Sequence, residues 1–422
     1  MLKCLRLLGG IFVYASDNSI FSRMNLILFD CHKNRENLLP FTFTRPVADI
    51  RVGILTIREK WEKLLGQKSY SLTETYLLDK FPAAPDTSPA LYINGSILPD
   101  ESLIKAIQQL GALQSLTYQG GLLAYKSEKH HINYENSEAI SRGFTQVEYT
   151  GTVLRINHPW DIFKLNGDAL KADFGWLTQG RKSQALSSTN TLIGPVENLF
   201  IEEGAVIEAS VLNTSTGVIY VAKDAEIMEN CAVRGPLALC EHAALKMSAK
   251  VYGATTLGPH CKAGGELNNV IFFGYSNKAH DGFLGNSVIG EWCNLGADTN
   301  NSNLKNNYSS VDVFSYREGA AIDTGLTFCG LMMGDHSKVG INTMFNTGTV
   351  VGVSANVFGG DFPPKFIPSF SWGGSRWVRT FSFEKSLEVA ERMMERRGLK
   401  LEPADVKILK TVFERDAKFR KD

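Results

Sequence analysis

The sequence predicts a chain of two structural domains, an α/β domain followed by a left-handed parallel β-helix. Aliphatic residues recur at every sixth position through the second half, and strand-like segments alternate with helix-like segments in the first half. Apolar residues make up 44% of the 422 residues and charged residues 21%, so the chain can bury a large core and is not disordered. At about 150 residues per domain, the length fits two or three domains.

The first 23 residues precede the first predicted strand and allow two interpretations. Lys3 and Arg6 stand before the apolar run 7–14, which weakly resembles a secretory signal peptide. Met24, however, leads directly into the predicted strand, as expected if the start were assigned too far upstream. We expect the second interpretation to hold and residues 1–23 to be a poorly ordered extension. Because no apolar run reaches the roughly 18 residues of a membrane-spanning helix, we expect no membrane partner.

Residues 24–188 are predicted to form the α/β domain, because short apolar strands alternate with amphipathic helices. The predicted elements are strand 25–30, helix 50–65, strand 90–93, helix 102–110 and strand 152–156. Such alternation is typical of a largely parallel sheet. Ligands of these sheets bind beyond the carboxyl ends of the strands, which here are residues 30–35, 94–100 and 157–166.

The second half carries a period of six, which neither a helix nor a single strand produces. The periodic aliphatic and aromatic positions are Ile201, Ile207, Ile227, Val233, Leu239, Leu245, Val251, Leu257, Ile289, Leu295, Met333, Val339, Phe345, Val351 and Val357. A hexapeptide repeat explains this spacing, since each hexad is one short strand and a corner, with the periodic side chain pointing into a narrow prism. Glycines such as Gly258, Gly290 and Gly340 suit the corners. We therefore predict a stacked β-helix over residues 189–362.

Two departures from the repeat are expected to carry function, because insertions in solenoids emerge as loops at one face. The first is the irregular stretch 263–285, and the second is the polar excursion between Thr299 and Met333. Beyond the solenoid, residues 363–422 are charged and helical in pattern. We interpret this helical tail as a solvated cap or a subunit contact.

The charge balance and the cysteines limit the partners of the chain. Lys plus Arg and Asp plus Glu number 44 each, so the chain lacks the basic surface of a dedicated nucleic-acid binder but still allows a local phosphate site. The seven cysteines are scattered without a C-x-x-C pair. This scatter argues against a disulfide framework or a zinc ribbon and favours the reducing cytoplasm.

An α/β domain joined to a hexapeptide β-helix resembles the bifunctional UDP-N-acetylglucosamine diphosphorylase / glucosamine-1-phosphate N-acetyltransferase family, in particular its divergent Bacteroidetes-type branch. The resemblance covers nearly the whole chain after Met24. Its most specific stretches are 274–285 and 294–303. They are similar to the family patterns Ser-Lys-Ala-Gly-His-Leu-Thr-Tyr-Leu-Gly and Asn-Ile-Gly-Ala-Gly-Thr-x-x-x-Asn-Tyr. The resemblance implies a Rossmann-like, nucleotidyltransferase-like first domain and an acyltransferase β-helix.

On this resemblance, an acetyltransferase site falls in the interrupted part of the repeat. His280 matches the catalytic base that removes a proton from an attacking amine, a role suited to imidazole. Asn303 matches the asparagine that positions the acceptor and stabilises the oxyanion through its amide N–H. Asn294 and Glu266 match residues that contact the acceptor sugar. The residues implied for acetyl-CoA are Ala297, Gly340 and Ile341.

Three positions around the implied acceptor depart from the family pattern. Phe283 replaces a phosphate-contacting tyrosine, Asn268 replaces a lysine, and Leu304 replaces the aromatic residue after the asparagine. Phe283 and Asn268 still count as substrate contacts, but the contacts to the phosphate of the acceptor are expected to be weaker. Lys262, Lys278 and Arg317 are candidates to compensate for the weaker phosphate contacts, with Lys278 also counted among the substrate contacts, and N-acetyl transfer remains the expected reaction.

The first domain departs further from the family, whose glycine-rich loop and lysine after the first strand cradle nucleotide phosphates. Residues 30–46 contain no glycine. Arg35, Arg45 and Arg51 are the candidate phosphate contacts, with a surface pair between Arg45 and Asp49 as the structural alternative.

The Gly-Asp that holds Mg²⁺ in the family is replaced by Asn-Gly-Ser at residues 94–96. Asp100 and Asp161 are the candidate metal ligands, because two carboxylates together with phosphate oxygens suit Mg²⁺.

The resemblance implies a cytoplasmic enzyme of sugar-nucleotide biosynthesis with two activities. One transfers an acetyl group from acetyl-CoA to an amino-sugar phosphate, and the other joins a sugar 1-phosphate to a nucleoside triphosphate with Mg²⁺. The resemblance also implies a homotrimer with active sites between adjacent prisms. Two alternatives stay open: a nucleotidyltransferase for another sugar 1-phosphate whose β-helix serves trimerisation or regulation, and a non-catalytic hexapeptide scaffold. A scaffold would need neither His280 nor Asn303.

Overall fold

The computed structural model describes residues 24–85, 89–128 and 143–420. They form an N-terminal α/β domain, a parallel β-helix and a pair of C-terminal helices, so the predicted fold class is confirmed. The predicted extension 1–23 lies outside the described residues. In the described ranges, no helix has both the length and the apolar character needed to cross a bilayer.

The first domain is built on one six-stranded sheet. Its strands are β1 (Asn25–Phe29), β2 (Ser69–Leu72), β3 (Ala90–Asn94), β5 (Gln114–Tyr118), β6 (Gly121–Ser127) and β7 (Thr145–Glu148), with a separate pair of β4 (Ile97–Leu98) and β8 (Leu154–Arg155). The order in the sheet is β2-β1-β3-β6-β5-β7. β1 runs parallel to β2 and β3, whereas β6 is antiparallel to β3 and β5. The sheet is therefore more mixed than predicted, and its parallel parts are β2-β1-β3 and the pair β5-β7.

Four helices of the described residues accompany this sheet. They are α1 (His32–Asn37), α2 (Ile57–Leu65), α3 (Glu101–Gln108) and α4 (Pro159–Thr178). α2 is shorter than the predicted helix 50–65 because it starts at a capping box formed by Thr56 and Glu59. Before it the chain turns at Gly53, which has a φ of +84° and whose added Cβ would lie 2.5 Å from Asp173 Oδ2. Only glycine suits this position.

The second domain winds into a β-helix with three faces, which we call face 1, face 2 and face 3. Face 1 contains β9 (Thr191–Ile193), β12 (Val211–Asn213), β15 (Ala232–Arg234), β18 (Lys250–Tyr252), the first parts of β21 (Glu266–Gly274) and β23 (Phe283–Glu291), β25 (Asn300–Asn301) and β30 (Met344–Phe345). Face 2 contains β10 (Leu199–Ile201), β13 (Ile219–Val221), β16 (Leu237–Leu239), β19 (Thr255–Leu257), the second parts of β21 and β23, β28 (Met332–Met333), β31 (Val350–Val351) and β33 (Phe366–Ile367). Face 3 contains β11 (Val206–Ile207), β14 (Glu226–Ile227), β17 (Ala244–Leu245), β20 (Lys262–Ala263), β22 (Asn277–Lys278), β24 (Asn294–Leu295), β29 (Lys338–Val339), β32 (Asn356–Val357) and β34 (Ser371–Gly373).

The aliphatic side chains of successive coils stack inside the prism. Along face 1 the stacked residues are Leu212, Val233, Val251, Leu267 and Leu284, all at most 3% exposed. Burial of such a column is the main stabilising contribution of a solenoid, since each coil contacts only its neighbours. The parallel ladders continue through β33 and β34, beyond the predicted end at residue 362, and β35 (Val378–Thr380) closes the last coil antiparallel to β34.

Face 2 is covered by the first domain, whereas face 1 is open. The outward side chains of face 2 are buried although they point away from the prism; they are Phe200, Tyr220, Ala238, Thr256, Ile271, Val288, Met332 and Val350. Helix α4 packs on this face, and Asn166 Nδ2 donates to Ala254 O at 2.9 Å. On face 1, the outward side chains of Ile193 and Val211 are exposed. Face 2 is thus a domain interface, and face 1 is available to ligands or partners.

Two further segments return to the first domain. One is an insertion between β25 and β28, with a hairpin of β26 (Asp312–Ser315) and β27 (Ala320–Asp323). The other is the helical tail, with α5 (Phe383–Glu395) and α6 (Pro403–Arg415). Arg415 of α6 pairs with Glu74 at 2.9 Å, and Lys407 pairs with Asp79 at 2.7 Å. The tail therefore caps the chain's own first domain.

Candidate functional site

His280 stands on the corner that leads from face 3 to face 1, which we call the 3–1 edge. It lies between β22 and β23, and it is exposed. Its backbone carbonyl accepts a hydrogen bond from Lys278 Nζ at 2.9 Å. An exposed imidazole on an anchored backbone is suited to take a proton from a bound amine.

Glu266, Asn268 and Phe283 lie beside this corner, on the outer side of face 1. Glu266 is in register with Phe283, and Asn268 is in register with Gly285, so these positions occupy two neighbouring coils. Tyr252 Oη donates to Glu266 Oε1 at 2.6 Å, and this hydrogen bond raises the pKa of Tyr252 to about 12. Tyr252 was not predicted, since only its stacking register with Asn268 brings it to this surface.

Asn303 lies on the next coil of face 1, where the insertion begins. Its Nδ2 donates to Asn286 Oδ1 at 2.8 Å, and its carbonyl accepts from Cys329 N at 2.9 Å. Gly285 makes room for this side chain, because a Cβ there would lie 2.7 Å from Asn303 Nδ2 and 2.5 Å from the ring of Phe283. The amide of Asn303 is therefore packed against the coil that carries the other face 1 positions.

The positions predicted for acetyl-CoA continue along the 3–1 edge. Ala297 and Ile341 occupy this edge on the two coils that follow the coil of His280. These two coils are joined by a hydrogen bond from Asn342 N to Ala297 O at 2.8 Å. Gly340 precedes Ile341, whose side chain is 68% exposed. Asn294 is exposed on the adjoining part of face 3. The predicted base and these positions therefore share one edge of the solenoid.

Lys278 does not face this edge as the predicted substrate contact. It occupies the inward position of β22 and is 0% exposed, and its ammonium donates to backbone carbonyls. Arg317, another candidate to compensate for the lost phosphate contacts, lies beside the inserted hairpin. Its Nε is 3.7 Å from Glu36 of the first domain. Neither cation therefore stands at the acceptor positions.

The three arginines predicted to bind nucleotide phosphates are buried and paired within the protein. The partners are Asp30 for Arg35, at 2.9 Å, Asp335 for Arg45, and the Phe273 carbonyl for Arg51, at 3.1 Å. None of the three is more than 8% exposed. A buried guanidinium needs hydrogen-bond acceptors to offset its loss of water. These pairs connect the segment after β1 to the sheet, through Asp30, and to the β-helix, through Asp335 and Phe273. The alternative pairing with Arg45 is also wrong, since Asp49 pairs with Arg58 at 2.7 Å.

The two predicted metal ligands are helix caps. Asp100 Oδ1 accepts from Leu103 N at 2.9 Å where α3 begins, and Asp161 Oδ2 accepts from His158 N at 3.0 Å where α4 begins. Each of these oxygens also accepts a second hydrogen bond from a neighbouring residue. One oxygen of each carboxylate is therefore engaged in helix capping, and only the second oxygen of Asp100 or Asp161 could bind Mg²⁺ as predicted.

A cavity of about 220 Å³ lies at the carboxyl ends of β1 and β2, beside residues 30–35, which are one of the strand ends where the sequence predicts ligands to bind. Its lining combines the first domain, the inserted hairpin and the tail, and includes His32, Glu36, Glu74, Tyr76, Tyr316, Arg317 and Arg415. Arg415 pairs with Glu74 and Arg317 approaches Glu36, so the charges of the lining offset one another. The contributions of the hairpin and of the tail were not predicted, because no local motif links these distant segments to the first domain.

Residues 26–182 match a sequence family described as Sugar nucleotidyl transferase. The bifunctional sugar-1-phosphate nucleotidylyltransferase/acetyltransferase of Sulfurisphaera tokodaii is 28% identical over 317 residues, which are 73% of this chain and 69% of that protein. The bifunctional protein GlmU of Picosynechococcus sp. is 23% identical over 182 residues, which are 42% of this chain and 32% of that protein. The chain thus spans about a third of the length of that second relative.

Among solved structures, an Arabidopsis UDP-N-acetylglucosamine acyltransferase matches at 14% identity over 56% of this chain and 99% of that chain, with a TM-score of 0.21. That score supports no conclusion about this chain. The matched family and the Sulfurisphaera relative are both transferases by description, in agreement with the transferase predicted from the sequence.

Proposed function

We propose that the β-helix transfers an acetyl group from acetyl-CoA to the amine of an amino-sugar phosphate, glucosamine 1-phosphate being the first candidate. The observation that carries this proposal is the exposed His280 on the 3–1 edge, beside Glu266, Asn268 and Asn303 on the adjoining coils of face 1. The Sulfurisphaera relative, whose name combines nucleotidylyl and acetyl transfer, supports it. A non-catalytic scaffold would gain nothing from this combination of side chains.

In the proposed reaction, the amine nitrogen of the acceptor attacks the thioester carbonyl carbon while His280 takes a proton from the amine. The carbonyl oxygen becomes an oxyanion, to which Asn303 Nδ2 donates. When this intermediate collapses, the carbon–sulfur bond breaks and His280 returns the proton to the departing thiolate. Glu266 and Asn268 bind the acceptor, and Ile341 and Ala297 contact acetyl-CoA along the edge.

A trimer in the cytoplasm is the expected form of the active protein. Face 2 is occupied by the chain's own first domain, whereas Ile193 and Val211 leave apolar surface exposed on face 1. A neighbouring prism docked there would bury that surface and enclose the edge that carries His280. We assign the chain to the divergent Bacteroidetes-type branch on the same motif stretches, 274–285 and 294–303.

A second activity is proposed for the first domain, namely nucleotidyl transfer to a sugar 1-phosphate, with UDP-N-acetylglucosamine as the first candidate product. The match of residues 26–182 to sugar nucleotidyl transferases favours it. No step is assigned to Mg²⁺, because Asp100 and Asp161 cap helices. Arg35, Arg45 and Arg51 are assigned to holding the domain together.

The acetyltransferase proposal is tested by measuring coenzyme A release from acetyl-CoA with glucosamine 1-phosphate and other amino-sugar phosphates. His280→Ala is expected to lower kcat by roughly 10²–10⁴-fold, the usual contribution of a positioned base. His242→Ala is the matched control, since His242 is also an exposed histidine at a corner of the solenoid. Equal release by wild type and His280→Ala would reject the assigned base.

The accompanying proposals have separate measurements. Incubation with UTP, dTTP or GTP and sugar 1-phosphates, followed by pyrophosphate detection, tests the first domain. Light scattering of the purified chain tests the trimer, and a monomeric mass would argue against an active site shared between prisms.

A further inference from the structure

Lys278 is a charged residue at an inward position of face 3, on the coil that carries His280. The residues at the same inward position of face 3 on other coils are Ile207, Ile227, Leu245, Ala263, Leu295, Val339 and Val357. All of these are apolar, whereas Lys278 is a lysine that is 0% exposed. Burying an ammonium ion is costly unless its donors are all used. A lysine at this position therefore requires a structural or functional explanation.

The ammonium of Lys278 is bound by three backbone carbonyls. Its Nζ lies 2.9 Å from His280 O, 3.2 Å from Asp281 O and 3.3 Å from Gly264 O. Three acceptors match the three donors of an ammonium. No carboxylate bonds to it in the described structure, so it acts as a clamp on the backbone and not as half of an ion pair.

All three carbonyls belong to the 3–1 edge, those of His280 and Asp281 on this coil and that of Gly264 on the preceding coil. The edge at this coil is the short turn 279–282, which ends at Gly282, with a φ of +117°. Asp281 O also accepts from Asp298 N at 3.1 Å, whereas Lys278 Nζ is the donor that the structure gives His280 O. The backbone orientation of His280 is therefore set from inside the prism.

We propose that Lys278 is a positioning residue that fixes the turn 279–282 so that the His280 imidazole points to the acceptor. The effect on catalysis rests on the proposed acetyl transfer. The hydrogen bonds of Lys278 to the turn do not depend on that proposal. Displacing a catalytic group by about 1 Å costs on the order of 10²-fold in rate. Loss of the clamp should therefore lower kcat and leave KM for acetyl-CoA nearly unchanged, because the acetyl-CoA positions lie on other coils.

Lys338 provides a matched control within the same face. Lys338 is half-buried at the outward position beside Val339, and its ammonium donates to two backbone carbonyls, Trp292 O at 2.8 Å and His336 O at 2.6 Å. Those carbonyls lie on the corner between face 2 and face 3, away from the 3–1 edge. Burial lowers the pKa of both lysines to about 8, so the two sites have similar electrostatics. Replacing either lysine removes an ammonium that donates to backbone carbonyls of a corner. Only the replacement of Lys278 removes a hydrogen bond to the backbone of His280.

The test compares Lys278→Met with Lys338→Met in the full chain. Lys278→Met is expected to lower kcat by roughly 100-fold with KM for acetyl-CoA within about twofold, while Lys338→Met keeps kcat within about twofold. If Lys278→Met does not fold, Lys278→Gln takes its place, because glutamine retains an N–H donor. Lys278→Gln is expected to fold and to show a loss of kcat smaller than about 100-fold. Equal losses in the two methionine variants, or an unchanged kcat in Lys278→Met, would overturn the proposal.

A second readout does not depend on acetyl transfer. The imidazole resonances of His280, assigned with His280→Ala, are expected to shift or broaden in Lys278→Met and to remain in place in Lys338→Met. If wild type shows no acetyl transfer but these resonances move as stated, the clamp stands and the proposed function fails. Unmoved His280 resonances in Lys278→Met would reject the clamp, whatever the activity.

Discussion

The guanidinium of Arg45 donates a hydrogen bond to the carboxylate of Asp335, and this pair joins the first domain to the β-helix. Arg45 is 5% exposed and Asp335 is 3% exposed. Asp335 also accepts from Thr44 Oγ1 at 2.7 Å and from Glu291 N at 2.8 Å. The loop after β1 is therefore bound to a corner of the solenoid by one buried carboxylate.

Replacing that carboxylate should destabilise the protein strongly. Asp335→Ala leaves the buried guanidinium of Arg45 with Glu291 alone, at 3.4 Å. Breaking one side of a buried pair typically costs about 3–5 kcal/mol, because the other charge stays buried without compensation. Denaturant unfolding should show a loss in this range. Glu388→Ala removes an exposed pairing with Arg392 and should change stability by less than about 1 kcal/mol. Similar losses in both variants would contradict the buried role of Asp335.

A second prediction concerns acid sensitivity at the same junction. Burial, together with the positive charges of Lys338 and Lys80, lowers the pKa of His336 to about 3, although Glu291 and Asp405 oppose the shift. Between pH 6.5 and about 3, the unfolded chain binds a proton at this histidine and the folded chain does not. Stability is therefore lost as the pH falls through this window, by up to about 2 kcal/mol between pH 6.5 and pH 5.

His336→Gln removes this contribution. The difference in unfolding free energy between pH 6.5 and pH 5 should be smaller in the variant than in wild type by as much as about 2 kcal/mol. The measurement is denaturant unfolding at the two pH values. An identical pH dependence in both proteins would show that His336 is protonated in the fold or is solvent-exposed.

The solenoid could be predicted from sequence because each coil repeats the same local rule. Each periodic side chain, such as Leu245 or Val251, marks a position that points into the prism. The register between coils follows from the equivalent positions of the coils before and after it. The same rule brings His280 and Asn303 to one part of the surface without knowledge of distant contacts. The start of α2 was missed although Thr56 and Glu59 form a recognisable capping box, because the apolar pattern continues upstream of it.

The roles of the charged residues could not be predicted in the same way. Arg45 and Asp335 are 290 positions apart, so nothing local to either distinguishes a phosphate contact from a buried pair. Lys278 sits in a motif that suggests a substrate contact, yet its register with Ala263 places it inside the prism. The period of six could not assign it inward, because position 278 is 21 residues after Leu257 and 11 residues before Ile289, and neither number is a multiple of six.

A third prediction uses a glycine that the fold does not require. Gly175 lies in α4, is exposed, and an added Cβ would meet no atom within 4 Å. Gly175→Ala should stabilise the protein by about 0.5–1 kcal/mol, because alanine loses less conformational entropy in a helix. Gly53→Ala should have the opposite sign, since Gly53 has a φ of +84° and its Cβ would clash with Asp173 and with the Ala169 backbone. Thermal or denaturant unfolding of both variants checks the pair.

The last prediction tests the packing of Asn303 with a single methyl group. In Gly285→Ala the new Cβ would stand 2.7 Å from Asn303 Nδ2 and 2.5 Å from the ring of Phe283, so both side chains must move. Gly285 has no positive φ, and the atoms in the way are side-chain ends, so the fold should survive with a stability loss of about 1–3 kcal/mol. Acetyl transfer should fall by roughly 10²-fold, because the amide that stabilises the oxyanion is displaced. Gly175→Ala, assayed in parallel for coenzyme A release, should leave the rate unchanged. Full acetyl transfer by a folded Gly285→Ala protein would remove Asn303 from the proposed oxyanion site.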